Sequence, residues 1–267
     1  MERDITYHDS KMAKVLPPEG ELIFDLEKLA GTMGEVAMAA PEIGLPQFRY
    51  GFHGYQRVTR AVTRELETGM FEYPDKMAYT MPHFAERAFA PIRHYVNGNR
   101  EKVGGWTPMV YGQAARNALP STAMVDFLGF HVVYDLPFTL IDTETKAHHR
   151  ADYSKKINII LESTAQELLP EYAEVKPIFK RFSAENIGLW YVLRDLYKAR
   201  DDAWRAFERL DAAGKDNKET IETIDALLRK NAAARMFSSR AVIDFVIRNT
   251  TSVPDHPWGP PMIPPLA

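Results

Sequence analysis

The chain is 267 residues long, 45% hydrophobic and 26% charged, with a formal net charge of −3. That is ordinary globular composition, enough for one large domain or two small ones. It contains no cysteine, which excludes disulfides, thiolate nucleophiles and Cys-ligated zinc or iron–sulfur sites. Lys and Arg read as scattered, which argues against a nucleic-acid partner, because neutralising phosphates takes a basic stripe. The N-terminal run MERDITYHDSK is too polar for a signal peptide. No charge-free apolar run of about 18 residues occurs, so no membrane partner and a cytoplasmic location are expected.

Residues 1–18 read as an irregular segment ending in Pro17-Pro18, and 19–249 as one all-helical domain. Glu19 to Ala40 forms a first helix, with Leu22, Ile23, Leu26, Leu29 and Ala30 at helical spacing. Pro41 and Pro46 bracket a loop. Gly51 and Gly54 stand near the start of a second helix through Tyr55, Val58, Thr59, Val62 and Leu66, with Gly69 as its C′ residue. Asp75 to Val96 is a third helix, closed by Asn97-Gly98; Trp106 to Leu119 is the next, stopped by Pro120.

Ser121 then caps a helix whose body, Met124 to Asp142, is apolar nearly all round. Such a helix is buried, and this one is expected at the centre of the fold. Pro137 either kinks it beside Asp135, freeing the Val133 carbonyl, or ends it near Leu136. His148 to Leu169 reads as helical, followed by a short helix before Pro177. Ser183 opens a long helix with Glu185 in its first turn, ended by Gly214. Asn217 to Asn249 is helical with a break near Ser238-Ser239. Residues 250–267 hold six prolines and read as an extended tail, whose Trp258, Met262, Ile263 and Leu266 pack on the domain or on a second copy in a homodimer. With no alternating strand pattern and no repeat, the fold class is all-α, a single domain of about nine or ten helices.

His131 and Asp135 are four residues apart and so share one face of the central helix. Thr139 and Asp142 continue that stripe. A carboxylate inside an apolar helix needs a partner, because burying it alone is expensive. His148 and Asp152 repeat the same spacing. Three readings stand side by side. Both pairs, His131, Asp135, His148 and Asp152, could hold a divalent metal such as Zn, Mn or Fe. Without metal, Asp135 could orient His131 for proton transfer. Alternatively the first pair is a structural hydrogen bond, with His148 solvated. Tyr55 and Arg57, beside two glycines that permit close approach, are candidate substrate contacts together with Tyr134 and Asn158. His83, Arg87 and His94 share a face of the third helix, read as a solvated face. No P-loop, Gly-x-Gly-x-x-Gly or Gly-x-Ser-x-Gly occurs, so no organic cofactor is expected.

Several stretches resemble the uncharacterised DUF5995 family. They are Tyr55-Gln-Arg-Val-Thr, Phe71-Glu-Tyr-Pro-Asp, Trp106, Gly129-Phe-His-Val-Val-Tyr-Asp-Leu-Pro, Asp152-Tyr153 with Asn158, and Ala199-Arg-Asp-Asp-Ala-Trp204. The resemblance spans roughly residues 50–212. Its pattern carries asparagines around the histidine where Gly129 and Val133 stand here, and it implies a helical fold without a settled activity. His-x-x-x-Asp-Leu also resembles part of the zinc phospholipase C and P1 nuclease pattern, but the further histidine and the N-terminal tryptophan of that group are missing. The expected function is a small-molecule enzyme acting on a hydrophobic substrate by cyclisation, rearrangement, elimination or hydrolysis. The alternative is a non-catalytic ligand-binding or scaffolding protein.

Overall fold

Prolines set where three of the long helices begin, because a first-turn residue has no use for its N–H and proline already holds the helical φ. In the computed structural model, which describes residues 11–112, 115, 118–168, 171, 187–214 and 217–251, every regular element among those residues is helical. A single turn, α1 (Lys11–Val15), precedes α2 (Leu26–Ala39), whose Asp25 cap accepts from the Lys28 N–H at 2.9 Å. Such a cap is worth about 1 kcal/mol. Proline opens α3 (Pro46–Glu67) and α4 (Pro74–Val96). A 3₁₀ segment, Arg100–Trp106, leads into short α5 (Thr107–Tyr111). Then come α6 (Pro120–Asp142), α7 (Ile157–Leu168), α8 (Ile187–Ala213) and α9 (Lys218–Thr251).

The expected central helix is α6, and α3, α4, α8 and α9 all pack on it. Seventeen of its 23 residues are buried, on every side, so its apolar surface is taken up by neighbouring helices. By length and composition alone it could cross a bilayer, yet 78% of its most apolar window lies inside the protein. The α3–α6 contact depends on glycine. A Cβ at Gly51 would lie 2.3 Å from Phe127 Cγ, and one at Gly54 would lie 2.7 Å from Met124 Cγ. Only a bare backbone lets Phe127 seat against Phe48 and Phe52, with ring centroids 5.6 and 4.9 Å away. Phe89 stacks on Phe52 from α4 at 5.5 Å, and Trp106 reaches the same cluster from the 3₁₀ segment. Each of these buried rings contributes roughly 1.5–3 kcal/mol.

Several expected boundaries shift. The first helix begins at Leu26 rather than Glu19, and a helical turn lies within the N-terminal segment read as irregular. The cap of α6 is Leu119, with Pro120 at the first position, so Ser121 lies one residue inside the helix. The α6 backbone runs through Pro137 to Asp142, which overturns an ending near Leu136. The helix expected over Trp106 to Leu119 stops at Tyr111, with Gly112 extended. The stretch from His148 is not one regular helix either: a 3₁₀ turn, Ala147–His149, and a π turn, Asp152–Lys156, come before α7. The α9 backbone passes Ser238-Ser239 without a break. The long helix expected to end at Gly214 is α8, while its expected start at Ser183, the short helix before Pro177 and the Pro-rich tail beyond Thr251 fall outside the described residues.

Candidate functional site

His131 and Asp135 lie one turn apart on α6, both buried to within 2% of full enclosure. His131 Nδ1 is 2.7 Å from Asp135 Oδ2, and Trp106 Nε1–H donates to the same oxygen at 3.0 Å. An indole can only donate, so Oδ2 is an acceptor, and its remaining lone pair suits the imidazole Nδ1–H. That places the proton of His131 on Nδ1 and leaves Nε2 as a bare acceptor. Nε2 is buried and has no hydrogen-bond partner among the described residues. The Tyr55 hydroxyl is also buried and has none there.

The rings around His131 form an aromatic box. Phe84 of α4 stacks on the imidazole at 3.7 Å between centroids and 8° between planes. Tyr55 of α3 meets it edge-on at 4.9 Å, and Trp106 and Phe127 stand at 5.8 and 5.9 Å. Four segments, α3, α4, α6 and the 3₁₀ turn, therefore each contribute one wall. Burial pushes the His131 pKa down, against the pull of Asp135, and pushes the Asp135 carboxyl up, against the stabilising contacts from His131. Both directions disfavour a separated ion pair, so the imidazole rests neutral. Burial, then the nearby Asp135 charge, raises the Tyr55 hydroxyl well above its ordinary range, so it stays a phenol. Beyond the box, Arg87 pairs with Asp142 at 2.5 Å and lies over the Phe138 ring.

Of the expected site residues, the structure brings together His131, Asp135 and Tyr55. It places the others elsewhere. Arg57 lies on the surface, bonded to Glu171 at 2.9 Å. The Tyr134 hydroxyl donates to Asp225 of α9 at 2.8 Å, and Asp225 in turn holds Arg229. Asn158 lies in the first turn of α7, where its backbone carbonyl accepts from Tyr197 of α8 and its side-chain Oδ1 is buried with no partner among the described residues. The second His–Asp pair does not form. His148 is exposed, while buried Asp152 accepts the Glu72 and Tyr73 N–H groups at 3.0 and 2.7 Å, tying the π turn to the start of α4. The four-residue metal set is corrected accordingly: among the described residues, no group of three or more His, Asp or Glu side chains is placed to hold an ion. On the face of α4, His83 is half-buried with Nε2 unpartnered among the described residues, and His94 is half-buried, so that face is not simply solvated.

Three members of the box, Trp106, Phe84 and Phe127, are not among the expected site residues. Trp106 had a usable signal, since a buried indole N–H seeks an acceptor and buried Asp135 needed a donor. Nothing local marks Phe84.

The family model for DUF5995, described as a family of unknown function, matches residues 47–237. No curated protein and no solved structure matches the chain.

Proposed function

We propose that this chain, which belongs to the DUF5995 family, binds a small apolar molecule bearing a hydroxyl and acts on it by proton transfer at His131. The observation that supports this most is the bare, buried Nε2 of His131 on a ring whose other nitrogen is anchored to Asp135. Buried polar atoms find partners, so an acceptor left open beside an unpartnered phenol calls for a group that donates to one and accepts from the other. A ligand hydroxyl does both. His131 would take its proton at Nε2, Asp135 would steady the resulting imidazolium through Nδ1, and Tyr55 would donate to the oxygen losing the proton. Aromatic walls suit an apolar body. Entry requires Phe84 to move off the imidazole.

A second reading has its own support. Asp135 also joins Trp106 to α6, so the same carboxylate fixes a loop to the core. In that reading the pair is structural and the site binds without reaction. Imidazole ¹⁵N NMR of the full chain separates these possibilities, with phenol and cyclohexanol as probes. Binding predicts a shift at the His131 Nε2 resonance that disappears in His131→Phe and weakens in Tyr55→Phe. If neither probe moves that resonance, the hydroxyl-binding reading falls. If both bind but the Nε2 resonance keeps its pH behaviour in Asp135→Asn, proton transfer at His131 falls.

A further inference from the structure

We infer that the outward face of α3 docks an acidic segment of a partner protein. Arg49, His53, Arg57, Arg60 and Arg64 recur at intervals of four, four, three and four residues. At 100° per residue those positions fall within about 80° of one another, a single stripe roughly 22 Å long. Read in sequence the cations look scattered, and only the helix collects them. Arg49, Arg60 and Arg64 are exposed, and His53 and Arg57 are half-buried. The helix carries four arginines and no lysine. Arginine offers a planar fork that grips a carboxylate through two bonds, where lysine offers a point charge.

Among the described residues only one of the five has an acidic partner. Arg57 holds Glu171 at 2.9 Å, a residue 114 positions further along the chain. This face therefore already takes a carboxylate from outside its own helix. Burial and then the neighbouring Arg57 and Arg49 charges lower the His53 pKa, with Glu171 opposing them, as a local positive field requires. The chain as a whole is slightly acidic, so the stripe is a local inversion of sign. Carboxylates at the same four-and-three spacing along a partner helix would meet it in register. The only ring in the stripe is the half-buried His53, and the stripe has no apolar residue to enter a bilayer. A protein segment rich in Glu or Asp is the occupant that fits.

The test titrates the full chain with a fluorescent glutamate peptide of about 15 residues, long enough as a helix to cover the stripe. Binding should weaken as salt is raised to about 1 M, where screening reaches within roughly 3 Å. Replacing Arg49, Arg60 and Arg64 together by glutamine should raise Kd at least about tenfold, while the fold, judged by circular dichroism and melting, stays unchanged. These positions are exposed and lie outside the aromatic box. The corresponding triple lysine variant should retain part of the affinity, because charge remains and the fork is lost. Unchanged peptide binding in the glutamine variant overturns the inference. So does tighter, stripe-dependent binding of a single-stranded oligonucleotide or of anionic lipid vesicles than of the peptide.

Discussion

Asp135→Ala is the sharpest test of the buried network. The substitution removes the one oxygen on which Trp106 Nε1–H and His131 Nδ1–H converge, at 3.0 and 2.7 Å. Each stranded buried donor costs about 1–3 kcal/mol. Relief of the buried carboxylate, whose pKa burial raises, offsets part of that cost. The expected loss is about 3–5 kcal/mol, in the range for breaking one side of a buried pair. Asp135→Asn can set its amide oxygen where Oδ2 stands and so still accept from both Trp106 Nε1–H and His131 Nδ1–H. The ring keeps its place and its Nδ1–H tautomer, and only the carboxylate charge is lost. That variant should lose only about 0–2 kcal/mol, since both hydrogen bonds are kept. Urea unfolding at neutral pH measures both, with the midpoint shifting at constant slope. If the alanine variant is as stable as the asparagine one, Asp135 does not satisfy the two donors and the network is wrongly drawn.

Acid should expose the buried imidazole. Unfolded, His131 takes up a proton as pH falls below its ordinary 6.5, whereas folded it stays neutral to lower pH. The unfolded state then binds more protons, so stability falls with pH below that value. In His131→Phe the decline between 6.5 and about pH 5 should be shallower, and His53, His83 and His149, also lowered, are common to both proteins. An identical pH slope in the two proteins argues that His131 titrates normally and is not enclosed. Gly51→Ala should destabilise by about 1–3 kcal/mol, because its Cβ lands 2.3 Å from fully buried Phe127. Gly31→Ala, helical with nothing within 4 Å, should instead gain about 0.5–1 kcal/mol; a thermal melt that ranks the two the other way refutes the close α3–α6 approach. Tyr134→Phe should cost about 1 kcal/mol by losing the Asp225 bond between α6 and α9, and no change in denaturant midpoint would remove that tie.

The sequence by itself determined the helical class, the central place of α6 and the meeting of His131 with Asp135. Each of these follows from local periodicity. A stretch apolar on every side has to be enclosed, and residues four apart on a helix must touch. Gly69, at φ +76° just past α3, and Gly98 after α4 were equally legible, because helix stops are written in the residues beside them. The repeat of the spacing at His148 and Asp152 misled, because it presumes a regular helix. The chain there runs through 3₁₀ and π turns that send Asp152 to the start of α4 and His148 to solvent. Only the tertiary structure decided that Tyr55, Phe84 and Trp106, from three separate segments, close around one imidazole. It alone also placed Arg57 on the surface beside Glu171, and Tyr134 against α9. Contacts between distant segments depend on how closely helices can approach. Here that distance is set by side chains absent at Gly51 and Gly54, which no periodicity within either helix records.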